Sequence, residues 1–406
     1  MSRTIWIPAL LCLAACGTDP APGVDTAPSP DLANADHRVD AIADAVLADT
    51  GGVDSSPADT LTPDLSPSDM PPSDMPPSTP PGCIQGTFKP YFGNLHSHTG
   101  YSDGQLTPDD AFKYARDVAK LDILFVTDHL EQLYLVPPTD RYGNCKAQAT
   151  AQTTATFLAG CGYEYGSGFN LLLQSTGHNN VFFSPTLFPA VQLDFHAFYK
   201  TLVACSTCIG QFNHPGSETY QHWNNFEYHS DVDDRINLFE FNSSPAWDLF
   251  FKALDAGWHV SPMYNQDNHS ADWGTANDRR SGLFLSQLDT TALRSAMLDR
   301  RTFMSYDRNA VVQVMADNVC WMGSILTKTS SVTLSVKATD ADAADTFSKI
   351  TIYGKAKTPL ASFACQKTNP CSAVFTIQAS QSPYAVARVE QDDGDFLVAA
   401  PVWIAP

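Results

Sequence analysis

Five short segments place a histidine or a carboxylate where metal chemistry wants one: Asn94-Leu-His-Ser-His98, Thr127-Asp-His129, Gly162-Tyr-Glu164 with His178 beyond it, Asn213-His-Pro215 and Asp267-Asn-His269. Any one of them is a weak signal, because a lone histidine in a folded protein is more often a hydrogen-bonded core residue than a ligand. The weight lies in the set. His96, His98, His129, His178, His214 and His269, with Asp103, Glu164 and Asp267, offer enough imidazole and carboxylate for about two or three divalent ions (zinc, manganese or iron), with positions left for water and substrate. Residues i and i+2 of a strand share a face, so His96 and His98 form a preset pair.

The elements that must position these residues alternate in character. Tyr91–His98 reads as a strand. Thr107-Pro108-Asp109-Asp110 is a helix start, with a hydroxyl cap, proline at the first position and acids in the first turn. The helix it opens buries Ala111, Ala115 and Val118, and the apolar strand Leu121–Thr127 follows. Cys208–Asn213, Ile236–Asn242 and His259–Asn265 read as further strands, and Pro245–Gly257 and Thr291–Arg300 as helices. Such alternation predicts an α/β domain with a largely parallel sheet, and puts the ligand segments at the C-terminal strand ends where such folds build sites. After about Asn309 the helices stop. Val311–Met315, Ser331–Lys337, Lys349–Tyr353, Ala373–Ile377, Ala385–Val389 and Leu397–Trp403 read as the strands of a small β-sandwich.

Ahead of these domains the chain looks exported. Arg3, the short apolar run Ile5–Leu13 and Leu13-Ala-Ala-Cys16 form a signal with a bacterial lipobox over residues 1–16, with Cys16 as the lipidated residue. Gly17 after it, in place of aspartate, points to the outer membrane of a Gram-negative cell envelope. Residues 17–82 are rich in Asp, Pro, Ala, Ser and Thr, and end in near-repeats of Pro-Ser-Asp-Met-Pro. They read as a disordered tether between the membrane and the folded part. This tract carries over half of the formal net charge of -20. The rest is mildly acidic and has no basic stripe, which disfavours a polymeric nucleic-acid partner. In an oxidising compartment the remaining cysteines favour disulfides. Local spacing pairs Cys365 with Cys371, Cys145 with Cys161 and Cys205 with Cys208, which leaves Cys83 with Cys320 by elimination.

The continuation of the first segment, His96-Ser-His-Thr-Gly-Tyr-Ser-Asp-Gly104, followed by Thr127-Asp-His129, the strand-end Glu164 with a later histidine, His214-Pro215 and Asp267-Asn-His269, resembles the motif series of the PHP (polymerase and histidinol phosphatase) superfamily. Gly177-His-Asn-Asn180, Asn213-His-Pro-Gly216 and the β-rich tail are similar to its carbaryl-hydrolase-like branch. The resemblance implies a distorted (β/α)7 barrel over residues 83–309 before the β-sandwich at 310–406. It implies His96, His98, Glu164 and Asp267 on a first ion, with Glu164 bridging to a second held by His178 and His214. A third ion falls to His129 and His269 beside Asp103. It further implies a hydrolase in which a hydroxide shared by two ions attacks phosphorus or an acyl carbon, with no protein nucleophile. Glu164, Asp267 and His269 would then be catalytic, with Arg280, or its neighbour Arg279, gripping an anionic group of the substrate. Asp128 is expected to fix a neighbouring imidazole.

Hydrolysis of a small phosphate ester is the expected activity. A metallo-esterase or amidase of the same fold, and a surface binding protein with a non-catalytic metal site, are the alternatives. Glu240, His222, His229, Trp223, Trp273 and Tyr101 could line the pocket, although packing or structural hydrogen bonding explains each as well or better. Neither the substrate's identity nor the oligomeric state follows from these residues.

Overall fold

The computed structural model describes residues 82–134, 140–169, 175–189, 195–217, 222–328 and 330–405. The expected signal with Cys16 and the tether lie outside them. In chain order the first part holds β1 (Lys89–Asn94), α1 (Pro108–Asp117), β2 (Ile123–Val126), α2 (Leu130–Tyr134), α3 (Arg141–Gln152), β3 (Leu158–Cys161), β4 (Tyr163–Phe169), β5 (Ser175–Phe182) and α4 (Phe195–Ala204). It continues through β6 (Ile209–Asn213), α5 (Trp223–Phe226), β7 (Ile236–Glu240), α6 (Ala246–Ala256), β8 (Ser261–Met263), β9 (Arg280–Leu285), α7 (Thr290–Leu298) and β10 (Thr302–Ser305). The second part holds β11 (Val311–Ala316), β12 (Cys320–Trp321), β13 (Ile325–Thr327), β14 (Ser331–Thr339), β15 (Phe347–Gly354), β16 (Thr358–Thr368), β17 (Cys371–Gln378), β18 (Tyr384–Gln391), β19 (Phe396–Ala399) and β20 (Val402–Ala405).

Local chemistry sets the element ends. Thr107 caps α1 through its hydroxyl while Asp110 reaches back to the Thr107 N–H, a reciprocal arrangement worth about 1 kcal/mol. The helix buries Ala111, Phe112 and Ala115. Val118, expected on that face, is instead 57% exposed, because the helix ends at Asp117 and Val118 is already its cap. Helix α6 stops at Gly257, whose φ of 118° admits little but glycine. The single strand expected over Leu397–Trp403 divides into β19 and β20 around Pro401, which has no N–H to give a ladder.

Strands β1, β2 and β3 run parallel, and β6, β7 and β8 run parallel in a second sheet. The expectation of a largely parallel barrel fails between them. β5 is antiparallel to both β4 and β6, and β9 is antiparallel to β1. Among the described residues the two sheets join only through isolated pairings, His129 with Glu164 and Ser97 with Asn268, so no closed ladder forms. The physical reason is the β4–β5 hairpin, which turns the chain straight back where a (β/α) unit would cross over through a helix. Gly162 lets β3 run into β4 there, since a Cβ at this position would lie 2.6 Å from the Val181 carbonyl oxygen.

The C-terminal strands alternate buried and half-buried residues, as in Val311–Ala316 and Ser331–Thr339. The sheet β12-β11-β14-β17 shares a buried apolar core with β15, β18 and β19, which form one end of the long sheet. That long sheet runs without a break through β10, β9 and β1 to β3, so hydrogen bonding crosses the boundary expected between residues 309 and 310. All four expected disulfides are formed: Cys83–Cys320, Cys145–Cys161, Cys205–Cys208 and Cys365–Cys371.

Candidate metal centre

His96 and His98 follow β1, His129 follows β2, His214 follows β6, and Asp267 and His269 follow β8, all past C-terminal strand ends. Glu164 and His178 depart from that rule. Glu164 is the second residue of β4 and His178 lies within β5, antiparallel to it. The register pairs Glu164 with Asn180 and Gly166 with His178, so one face of the hairpin delivers both side chains.

Glu164 is the hub and is 1% exposed. Its Oε1 lies 2.9 Å from His214 Nε2, 3.2 Å from His178 Nδ1 and 3.5 Å from His96 Nε2. Its Oε2 lies 3.1 Å from His129 Nδ1 and 3.4 Å from His98 Nε2. Asp267 Oδ1 closes the inner face at 3.0 Å from His98 Nε2 and 3.2 Å from His96 Nε2. Farther out, Asp103 approaches His269 Nε2 at 3.4 Å, His129 Nε2 at 3.5 Å and His98 Nδ1 at 3.7 Å. Three sets of donors result, each with its atoms within 4.8 Å of one another: His96, His98, Glu164 and Asp267; Glu164, His178 and His214; His98, Asp103, His129 and His269. These are the groupings implied by the resemblance, except that His98 stands in two of them.

The backbone bends to make this convergence. His214 and Asp267 have φ of 29° and 51°, in the left-handed region that costs a non-glycine residue about 1–3 kcal/mol. Each is pinned in place. The His214 N–H donates to Glu240 Oε2 at 2.7 Å, and the Asp267 N–H donates to the His96 carbonyl at 3.0 Å.

Partners on the far side of each ring orient the imidazoles. Glu240, fully buried, lies 3.1 Å from His96 Nδ1 and also accepts from Gln211 and Asn265. A proton held on Nδ1 by that carboxylate leaves the Nε2 lone pair facing Glu164 and Asp267. The same logic holds at His269, whose Nδ1 is 3.0 Å from the Asp267 carbonyl. Asp128, expected to touch an imidazole, acts one step removed. It accepts from the Thr99 N–H and hydroxyl and from Ser102 Oγ, and Ser102 in turn meets His98 Nδ1 at 3.3 Å. Ser102 lies within Gly100-Tyr-Ser-Asp-Gly104, which spells the Gly-x-Ser-x-Gly of serine hydrolases. Its hydroxyl proton nevertheless goes to a carboxylate rather than to a histidine base, in a turn and not at a strand-to-helix elbow.

Electrostatics tie the imidazoles and carboxylates of the donor set to one another. Burial alone would raise Glu164, yet the charges of His96, His178 and His129 hold it well below the usual carboxylate range. Burial alone would lower His98, but the carboxylates of Asp267 and Glu164 push it up to about 10. His214 rises to about 9, with burial again outweighed by Glu164. Protons thus occupy the place for which divalent cations compete. Three buried atoms of the cluster have no hydrogen-bond partner: His178 Nδ1, Asp267 Oδ1 and His269 Nε2. Their close approaches to other donors and acceptors are not aligned as hydrogen bonds, and His96 Nε2 and His98 Nε2 face one another at 3.2 Å. Converging lone pairs of this kind fit shared cations. Exposure rises outward through the cluster: Asp103 is 41% and His269 29% exposed, against zero for His96 and His98.

No family model and no curated protein matches this chain. Among solved structures it is similar to a two-domain protein from Bacteroides vulgatus ATCC 8482 containing a predicted PHP-like metal-dependent phosphoesterase. That match has 16% identity and a TM-score of 0.45, and covers 82% of this chain and 100% of that one. It is also similar to a lesion-specific endonuclease from Pyrococcus furiosus, at 14% identity and a TM-score of 0.35, covering 52% and 56% of the respective chains. At these values neither neighbour carries its activity over.

Arg280 does not grip a substrate in this arrangement. It is buried and donates to the carbonyls of Gly274, Asn277 and Arg279, the use a desolvated guanidinium finds when no carboxylate is at hand. Arg279 stacks over Tyr306 at 3.9 Å and donates to the Tyr264 hydroxyl. Trp223 is buried against Phe212, and Trp273 donates to the His98 carbonyl, so both pack. His222 caps α5. Asn213, which donates to Glu164 Oε1 at 3.0 Å, and Gln211 and Asn265 behind it are supporting residues the sequence reading missed. Their only signal was position at strand ends beside ligands.

Proposed function

We propose that this chain is a metal-dependent hydrolase of the PHP class, in its carbaryl-hydrolase-like branch, acting on a small phosphate ester. The observation that carries the reading is the convergence of Glu164 with the imidazoles of His96, His98, His129, His178 and His214 around one buried carboxylate. His96, His98, Glu164 and Asp267 would hold one ion, Glu164, His178 and His214 a second, and Asp103, His129 and His269 a third. Such ions supply positive charge against a phosphoryl oxygen and acidify water near neutral pH.

The chain's own groups divide the remaining work. Glu240 and Ser102 keep the His96 and His98 rings in register. Asp267 Oδ1 would help hold the ion that polarises the attacking water, whose proton passes to solvent. His269 Nε2 would help hold the ion that stabilises the leaving oxygen. Asp103, His269 and His178 are part-exposed and would meet a substrate first, while His96 is buried.

The same reading puts the domain on the bacterial envelope through Cys16. Support comes from the Leu13-Ala-Ala-Cys16 sequence and from four closed disulfides, which belong to an oxidising compartment.

The purified full chain, loaded with manganese or zinc, is expected to cleave aryl phosphates and to stop when chelated. Turnover of aryl esters or carbamates with none of phosphate esters would assign it to the metallo-esterases instead.

A further inference from the structure

A second convergence of metal-binding side chains lies apart from the Glu164 cluster. His196 is the second residue of α4, Glu227 directly follows α5, and His229 comes two residues later. One donor atom from each falls within 4.8 Å of the others. The two imidazole rings sit 4.6 Å apart at 67°, an angle that brings ring nitrogens toward a common point and not into a stack. Glu227 Oε1 is 3.8 Å from His229 Nε2, too far for a hydrogen bond and about what two ligands of one small cation leave between them.

Two buried atoms here lack hydrogen-bond partners: His229 Nε2 itself and the hydroxyl of Tyr199. Tyr199 is one helical turn after His196, with its ring 5.3 Å from that of His229. Leaving such atoms unpaired is costly unless something fills the gap. Phe195 and Tyr199 wall the spot with aromatic rings, which would lower the local dielectric around an ion.

We infer that His196, Glu227 and His229 form a separate zinc(II) site, with a fourth position taken by water or the Tyr199 hydroxyl. Two imidazoles and a carboxylate are a donor set of borderline character that suits zinc over calcium or magnesium. The site's place in the fold makes it a clip. α4 stacks Phe198 on Tyr165, the residue beside Glu164, at 4.8 Å. Trp223 of α5 fills the space where Gly177, the residue before His178, lacks a side chain. An ion tying α4 to the segment after α5 therefore braces both sides of the hairpin that carries Glu164 and His178.

Crystals of the full chain soaked in zinc(II), with diffraction recorded above and below the zinc edge, test this without any substitution. An anomalous peak between the rings of His196 and His229 is expected, separate from any at the Glu164 cluster. Alongside, His229→Gln should bind one zinc fewer per chain by elemental analysis after desalting, and should lose part of the rise in melting temperature that zinc gives the unaltered protein. No peak between those rings, or an unchanged zinc content in His229→Gln, would overturn the site. Peaks confined to the Glu164 cluster would leave the hydrolase reading standing while removing this one.

Discussion

The two parts of the molecule bury opposite kinds of side chain. Beyond β1 and β8 the interior holds Glu164, His96, His98, Glu240, Gln211 and Asn265, all nearly inaccessible. Around β11, β14, β15 and β18 it holds Val312, Val314, Leu334, Val336, Ile350, Ile352 and Val389. A polar interior is costly unless each group is paired, and left-handed backbone at His214 and Asp267 adds to that cost. An apolar interior is a direct source of stability. The difference teaches that the first part sets a paired polar interior among its apolar clusters, whereas the second part is mainly apolar inside, with Cys83–Cys320 and the shared sheet coupling the two.

Substitutions separate these roles most sharply at the hub. Glu164→Gln is expected to cut phosphate-ester hydrolysis by a factor of about a thousand or more, equivalent to about 4 kcal/mol of barrier, in protein that still unfolds cooperatively. Loss of that cooperativity would blur the contrast. On the other side, Leu334→Ala should lower unfolding free energy by about 2–5 kcal/mol in denaturant titrations and leave kcat/KM unchanged at 25 °C. Glu240→Gln lies between the two: metal affinity, followed by competition with a chromophoric chelator, should weaken about 10–100-fold.

A smaller effect concerns pH. His98 and His214 titrate near 10 and near 9, above the 6.5 of a free imidazole. Their protonated forms therefore stabilise the metal-free fold fully below about pH 6.5, and that contribution is lost as pH rises through 9 and 10. Chelated protein should show a melting temperature that falls between pH 7 and 10 more steeply than that of manganese-loaded protein. Equal slopes would mean the imidazoles are not paired with these carboxylates.

Much of the site was legible because His96-Ser-His98, Thr127-Asp-His129, His214-Pro215 and Asp267-Asn-His269 each sit at the end of a strand that its own apolar run announces. The β4–β5 hairpin was not. Tyr163–Phe169 carries glycines at 166 and 168, and Ser175–Phe182 carries polar residues through its middle, so neither shows the periodicity of a strand. Helix α3 was equally silent. Its residues Arg141–Gln152 include Gly143 in the first turn and few apolar positions, and its place is set by Asp140 at its cap and by Cys145–Cys161. Arg280 misled for a related reason. Proximity in sequence to ligands says where an arginine starts, whereas burial among carbonyls decides where its charge ends. His196 and Glu227, each ordinary alone, acquire meaning only when α4 and α5 are brought side by side.

Manganese(II) added to the metal-free full chain and followed by electron paramagnetic resonance puts the shared cluster to the most direct test. Ions bridged by Glu164 should couple magnetically into a broad, many-line signal that Glu164→Gln abolishes, with any lone ion elsewhere giving six lines. A spectrum of isolated six-line ions alone, in protein that has Glu164 intact, would contradict the account.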